Sequence, residues 1–421
     1  MQNSGIKIRL IGLSFLQFAV WGAYLTSMGR CLGNFGLGTQ IGWFYAVQGI
    51  VSIFMPAIMG IIADRWVQAQ RLLSFCHIMA AIFMVATAYM GMSKGNTVAF
   101  SDIFWLYSLS VAFYMPTLAL SNSVSYTALE NAGLDTVKAF PPIRVFGTVG
   151  FIVSMWIVDL LGYQANWNQF LTSAIWGFIL GLYSLTMPKC PVANAGGSQS
   201  IAAALGLDAF KLFKHKKMAV FFVFSMLLGG ALQVSNSYAN LFIESFGADA
   251  QYAGTFAVQH TNILISLSQI SETLCILLIP FFLGRFGIKK VMLISMLAWT
   301  LRFAFFGMGN PGGGVWLFIL SMIVYGMAFD FYNISGSLFV DKEVPENMRS
   351  SAQGLFMLMT NGLGASFGVI AAQEVVNTLT NELQSPEGWP AAWYIFAAYA
   401  LIIAILFALL FKEDRTEKIK I

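Results

Sequence analysis

The chain has 421 residues, of which 58% are hydrophobic and only 10% are charged, and its mean hydropathy is +0.72. A soluble domain carries about 25% charged residues, so this composition excludes a water-soluble globular protein and indicates a protein embedded in lipid. The formal net charge of +4 is too small to suggest a nucleic-acid partner, and the four cysteines have no paired spacing that would predict disulfides or a metal site.

Twelve apolar segments follow one another along the chain, each close to the ~20 residues with which a helix crosses the hydrocarbon layer. They lie at 10–29, 41–62, 72–92, 103–125, 141–162, 168–187, 218–242, 256–283, 291–308, 315–339, 352–375 and 391–411. No small-residue cleavage site ends the first segment, so we expect a permanent helix there. With the N-terminus inside, most of the 23 Lys and Arg residues fall in cytoplasmic segments, which predicts that both termini are cytoplasmic.

The longest polar stretch, 189–217, separates the first six spans from the last six. It predicts a cytoplasmic linker in which residues 201–213 form a basic amphipathic helix on the membrane surface, or else a plain solvated loop. The predicted fold class is therefore an all-α membrane protein. Its domains would be an N-terminal six-helix bundle at 1–188, the linker at 189–217 and a C-terminal six-helix bundle at 218–421.

A short motif repeats at the inner end of the second helix of each half. Gly60-Ile-Ile-Ala-Asp64-Arg65 follows the second span, and Pro280-Phe-Phe-Leu-Gly284-Arg285 follows the eighth. The first resembles the signature loop of the major facilitator superfamily, although Val67 stands where that family has a glycine and Gly284 replaces the acidic residue in the second copy. The resemblance implies that Asp64, Arg65 and Arg285 form the conformational loops that latch the two halves.

Polar and aromatic residues recur at helical spacing in five of the spans. They are Gln17, Trp21 and Tyr24 in the first span, Arg144, Thr148 and Phe151 in the fifth, Gln233 and Asn236 in the seventh, Gln269 and Glu272 in the eighth, and Tyr325 and Phe329 in the tenth, with Asp330 and Asn333 one step around. Intramembrane polar groups usually face a cavity or a partner. Amides, carboxylates and ring faces together suit a neutral polar ligand with a planar ring.

Each of these residues also has a structural interpretation. Single Gln and Asn residues often form hydrogen bonds between membrane helices, and Arg144 and Glu272 can form a purely structural ion pair. Arg302 and Asp159 lie nearer the ends of their predicted spans and are interpreted as structural. His77 and His260 are isolated, and we expect them to be hydrogen-bonded helix residues.

No enzyme motif, metal-ligand cluster or phosphate-binding glycine loop occurs in the sequence. The chain is therefore predicted not to be an enzyme, to need no cofactor or metal, and to be driven by an ion gradient or by the gradient of its own substrate.

Five longer stretches resemble the nucleoside:proton symporter family of bacteria, a branch of the major facilitator superfamily. They are Leu13-Ser-Phe-Leu-Gln-Phe18, Phe140-Pro-Pro-Ile-Arg-Val-Phe-Gly-Thr148, Phe224-Ser-Met-Leu-Leu-Gly229, Ser268-Gln-Ile-Ser-Glu-Thr273 and Tyr325-Gly-Met-Ala-Phe-Asp-Phe-Tyr-Asn-Ile-Ser-Gly336. The resemblance implies that the substrate contacts are Arg144, Thr148, Phe151, Gln233, Asn236, Gln269, Glu272, Tyr325 and Phe329. Ala231 stands where relatives can have an acidic residue, which leaves the base preference open.

The resulting hypothesis is import of nucleosides such as uridine and adenosine together with protons, by alternating access about a midplane site. Glu272 and Asp330 are the candidate proton carriers, and Arg144 either orients Glu272 or donates to the ribose or the base. We expect a monomer in the bacterial inner membrane. The alternatives are a major facilitator carrier for a sugar or an organic anion, and a non-transporting membrane sensor, for which the sequence offers no soluble output domain.

Overall fold

The structure of the protein, a computed structural model, describes residues 2–192, 207–345 and 348–412. The chain divides into two compact units, Met1–Ser198 and Gln199–Ile421. Within the described ranges the secondary structure is helical and contains no strand. The predicted all-α class is confirmed.

The first unit contains six long helices, the first two of which are joined through the short helix Met28–Asn34. They are α1 (Gln2–Gly22), α2 (Ile41–Arg65), α3 (Ala69–Lys94), α4 (Phe100–Asn131), α5 (Thr136–Leu160) and α6 (Asn168–Ser184). Helix α1 packs on α5 and α6, α3 packs on α4 and α6, and α2 packs on α4. Helices α1 and α5 approach closely because Gly150 has no side chain: a Cβ there would collide with the backbone of Phe15.

The second unit begins, in its described part, with a 3₁₀ helix at Leu207–Lys214 and continues with five long helical segments, with the short helix Phe256–Gln259 between the first two of them. They are α7 (Lys216–Ser245), α8 (Thr261–Met308), α9 (Val315–Glu343), α10 (Arg349–Met357 and Ala365–Leu379, joined by the π-helical turn Leu358–Gly364) and α11 (Trp389–Leu410). Helix α8 packs along α9 and α11, and α7 packs along α10. Gly230 of α7 and Gly368 of α10 allow those two backbones to touch.

Ten helices in the described ranges are long and apolar enough to cross a membrane. Two features account for the difference from the twelve predicted spans. Helix α6 has only 17 residues, and α8 runs through the predicted eighth and ninth spans as one element of 48 residues. Gly287 interrupts α8 with a φ of 77°, a conformation open to glycine at little steric cost, so the chain changes direction between the two predicted spans.

The predicted surface helix at residues 201–213 is described only in part, because 193–206 lie outside the described residues. The remainder is the 3₁₀ helix Leu207–Lys214, which packs on α7 and on the start of α10. Leu212 is buried, and the ring of Phe213 lies 5.4 Å from that of Phe222. This piece is therefore part of the second unit, with Phe210 keeping an exposed ring.

Candidate functional site

The three predicted contacts of the first unit share one face of α5, beside α1. The guanidinium of Arg144 lies 3.8 Å from the centroid of the Phe18 ring, and a ring face stabilises a cation at this distance. Arg144 and Thr148 are partly exposed, whereas Phe151 is buried. The three residues thus share one face of α5 by their spacing, and the structure adds the contact of Phe18 with Arg144.

Gln17 occupies a different environment, within a buried hydrogen-bond network. Its amide nitrogen donates to the Thr117 hydroxyl at 2.8 Å, and its amide oxygen lies 2.9 Å from His77 Nε2. The Tyr114 hydroxyl donates to the backbone carbonyl oxygen of Gln17 at 2.7 Å. These contacts join α1, α3 and α4, so Gln17 and His77 serve as interhelical hydrogen-bond partners, the common structural role of such residues in membranes.

In the second unit, the predicted aromatic pair of α9 forms a parallel stack. The rings of Tyr325 and Phe329 are 5.9 Å apart with an interplanar angle of 3°. The Tyr325 hydroxyl interacts with the side chain of Gln269 on α8. On α7, the Asn236 amide lies 3.5 Å from Gln233 Oε1, the outer limit of a hydrogen bond. The Tyr325 hydroxyl thus joins α9 to α8, while the two amides of α7 lie beside each other.

The two candidate proton carriers both lie near Tyr325. Glu272 of α8 is partly exposed, and Asp330 of α9 is 5% exposed. Both are close enough to Tyr325 to interact with it electrostatically, and Asp330 also interacts with Cys275 on α8. Asp330 is thus enclosed between α8 and α9, while Glu272 is the more accessible of the two carboxylates.

Arg302 is almost completely buried. It is 2% exposed and lies in the last part of α8, which ends at Met308, in agreement with its predicted place near a helix end. Its guanidinium donates to the Ser235 hydroxyl of α7 at 2.7 and 3.1 Å, to the Ser321 carbonyl of α9 at 2.7 Å and to the Ser268 hydroxyl at 3.3 Å. It also lies 4.7 Å from the centroid of the Tyr325 ring.

Those partners explain why Arg302 matters for the site. Ser235 is the neighbour of Asn236 in sequence, and Ser268 is the neighbour of Gln269. One buried guanidinium therefore holds α7, both parts of α8 and α9 together at the level of the predicted contacts. The sequence does contain a signal for a central role of this residue, because Arg302 is the only charged residue between Val291 and Met308.

A cavity adjoins the aromatic pair within the second unit. Its empty volume is about 310 Å³, part of which is open to the outside. The ring of Phe329 forms part of its wall, together with Trp299, Asn333 and Asn361. Asn333 lies beside the polar stripe predicted for the tenth span, whereas no spacing pattern in the sequence connects Trp299 or Asn361 to that stripe.

The remaining predicted residues give less information about the site. The side chain of Asp64 lies outside the described residues, Arg65 is partly exposed and Arg285 is exposed. Asp159 is buried and accepts a hydrogen bond from Gln164 Nε2 at 2.9 Å, as expected of a structural residue. Across the described ranges, no group of three His, Cys, Asp or Glu side chains could hold a metal ion.

Comparison with known proteins gives a consistent picture. Residues 4–416 match the family model described as "Nucleoside H+ symporter". The nucleoside permease NupG of Escherichia coli (strain K12) is 47% identical over 411 residues, which cover 97% of this chain and 96% of that protein. The xanthosine permease of the same organism is 47% identical over 420 residues, covering 99% of this chain and 98% of that one.

Solved structures agree with the sequence comparisons. A crystal structure of the nucleoside transporter NupG superposes with a TM-score of 0.89 at 47% identity, covering 97% of this chain and all of that one. A D-xylose-proton symporter superposes with a TM-score of 0.71 at 14% identity, which shows a shared fold and no more.

Proposed function

The chain belongs to the nucleoside H+ symporter family, and from that premise we propose how its residues carry nucleosides and protons. It is a membrane-embedded nucleoside:proton symporter and not an enzyme. The alternatives of a sugar carrier, an organic-anion carrier and a non-transporting sensor therefore give way to the nucleoside hypothesis. We propose that the protein imports nucleosides such as uridine and adenosine into a bacterial cell by alternating access.

We further propose twelve membrane crossings with both termini in the cytoplasm. The 48 residues of α8 would span ~72 Å, about twice the hydrocarbon thickness of ~30 Å, so its two parts around Gly287 can each cross once. The 17 residues of α6 would span ~25 Å. The domains are then 1–188, a cytoplasmic linker at 189–217 and 218–421, in a protein that acts as a monomer in the inner membrane.

The nucleoside contacts that we propose combine ring faces with amides and charged groups. They are Arg144, Thr148, Phe151, Gln233, Asn236, Gln269, Glu272, Tyr325 and Phe329. The observation that carries the proposal is the parallel stack of Tyr325 on Phe329, with the Tyr325 hydroxyl interacting with Gln269. Flat aromatic faces stack on a planar base, and neighbouring amides can form hydrogen bonds with the ribose hydroxyls.

Competition for uptake tests the ligand class. Excess uridine or adenosine should strongly reduce uptake of labelled uridine into cells that express the protein, whereas free ribose or free uracil should compete weakly. The physical reason is that a nucleoside occupies both the ring faces and the amides, while each fragment occupies only one set. Equal competition by a hexose or an organic anion would overturn the nucleoside assignment.

Truncation of Phe329 tests the stacking contact. Phe329→Ala should weaken nucleoside binding by roughly 1–3 kcal/mol, about 5- to 150-fold in Kd, if the ring stacks on the base. Isothermal titration of purified protein with uridine measures the change. Phe281→Ala is the matched control, because Phe281 belongs to the same unit and is 63% exposed. Unchanged affinity in a well-folded Phe329→Ala protein would assign that ring to packing.

A further inference from the structure

The cavity beside Phe329, here called the Asn333 cavity, is continuous with the proposed nucleoside contacts along two helices. On α7 its wall ends at Leu232, next to Gln233. On α9 its wall includes Phe329, whose ring stacks on Tyr325 one turn away. A ligand held by Tyr325, Phe329 and Gln233 therefore borders this cavity directly.

The walls of the Asn333 cavity favour the base over the ribose. Trp299, Phe329 and Tyr332 supply aromatic rings, and Leu232 supplies an apolar side chain. The Tyr332 hydroxyl is already bonded to the Ser225 hydroxyl at 2.9 Å. The flat faces of a planar base match these rings, whereas a ribose has no flat face to set against them.

Asn333 presents a hydrogen-bond acceptor of fixed orientation in this wall. Its amide nitrogen donates to the Phe329 carbonyl oxygen at 2.9 Å, and only the NH₂ end of the amide can make that bond. The other end is therefore the amide oxygen, and no described residue donates to it. An acceptor held in this way binds an N–H group and repels a carbonyl oxygen.

A second amide lies in the same wall, at an irregular point of the backbone. Asn361 belongs to the π-helical turn Leu358–Gly364 of α10. Turns of this kind frequently occur at functional sites because the extra residue redirects side chains. Among the described residues, the Asn361 amide nitrogen has only the Met357 sulfur, a weak acceptor, at 3.4 Å. The cavity thus combines flat apolar walls with two amide groups, the usual composition of a selective small-molecule site.

From these observations we propose that the Asn333 cavity is a base-selectivity subsite that favours nucleosides with an exocyclic amino group opposite the sugar, as in cytidine and adenosine. The proposal rests on the proposed nucleoside transport function. In a nucleoside, position 4 of a pyrimidine or position 6 of a purine is the part of the base farthest from the ribose. With the ribose at the amides of α7 and α8, that group enters the cavity first and meets the Asn333 oxygen. An amino group donates to it, and a carbonyl group is repelled.

The test compares two pairs of nucleosides that differ at this group: cytidine with uridine, and adenosine with inosine. Each is used to inhibit uptake of labelled uridine by the full-length protein and by Asn333→Leu, a change of similar volume that removes the acceptor. In the native protein the amino member of each pair should inhibit on the order of tenfold better, the value of one well-placed hydrogen bond. In Asn333→Leu that preference should fall to about twofold or less, through weaker inhibition by cytidine and adenosine.

Controls separate this subsite from general damage. Leu232→Ala alters the same wall without removing an acceptor and should preserve the preference for amino nucleosides. Asn333→Ala provides a second variant if Asn333→Leu accumulates poorly in the membrane. The subsite is refuted if the native protein does not distinguish the members of either pair, or if Asn333→Leu weakens all four nucleosides alike. If no nucleoside inhibits the native protein, the proposed function itself fails, which is a distinguishable result.

Discussion

Replacing Asp330 with Asn should abolish the accumulation of nucleoside driven by a pH gradient while sparing the exchange of internal for external nucleoside. A pH difference of one unit supplies about 1.4 kcal/mol per proton, enough for about tenfold accumulation if one proton accompanies each nucleoside. Without a titrating group that coupling is lost, and the internal concentration should rise only to the external one. Exchange needs no net proton movement and should continue.

The position of Asp330 is the reason for choosing it. The carboxylate is 5% exposed between α8 and α9, where an ionised group is costly and its protonation depends on solvent access. Asn keeps nearly the same shape, so the change tests charge more than packing. Uptake into proteoliposomes with and without an imposed pH gradient measures accumulation. Uptake into proteoliposomes preloaded with unlabelled nucleoside measures exchange.

Glu272→Gln is the matched comparison, because Glu272 is also a proposed nucleoside contact. Neutralising a residue that holds the ligand should lower both binding and exchange, whereas neutralising a residue that only carries the proton should leave exchange intact. We therefore expect Asp330→Asn to give the cleaner uncoupled phenotype. If the single variants and the double variant all still concentrate nucleoside against its gradient when driven by pH, the proton pathway does not use either carboxylate.

Truncation of Arg302 should have the largest effect on stability. Arg302→Ala removes the guanidinium hydrogen bonds to Ser235, Ser268 and Ser321 and the ring contact with Tyr325. We expect a loss of about 2–4 kcal/mol in unfolding free energy, since bonds from a charged donor are strong but bonds between membrane helices are individually modest. Thermal unfolding of the purified protein in detergent measures the direction, as a lower midpoint.

Two further variants divide this loss into its parts. Arg302→Met keeps most of the side-chain volume and none of the donors, so the difference between the Met and Ala variants reports packing alone. Thr300→Ala is the control on the same helix, because the Thr300 hydroxyl donates to the Met296 carbonyl oxygen of its own helix and has no other partner among the described residues. This variant should unfold like the native protein. An Arg302→Ala protein with native stability would show that α7, α8 and α9 hold together without this residue.

Arg302 also shows how structural and functional roles overlap here. Because its partners adjoin Asn236, Gln269 and Tyr325, losing it should displace the proposed contacts as well as weaken the fold. Uridine affinity should therefore fall in Arg302→Met even when the measurement is made well below its unfolding temperature. Affinity that stays native in this variant would restrict Arg302 to a structural role.

The sequence by itself determined that this protein is embedded in lipid, that it is helical, and which helix faces carry polar groups. Hydropathy and a spacing of three or four residues are local properties of the chain. They therefore predict the polar face of α7 from Gln233 and Asn236, and that of α9 from Tyr325 and Phe329, without knowledge of any other helix. The family resemblance likewise rests on short contiguous motifs such as Phe140-Pro-Pro-Ile-Arg144.

Only the tertiary structure decided which polar residues meet. Gln17 and Gln269 both lie on polar stripes in the sequence. In the structure, however, Gln17 forms a hydrogen bond with His77 inside a network between helices, whereas Gln269 interacts with Tyr325. The sequence also gave no means of placing Arg302 against Ser235, which is 67 residues away. The partner of a side chain depends on how helices distant in sequence pack, and that packing is fixed by close approaches such as Gly230 to Gly368, which no pattern within a single helix contains.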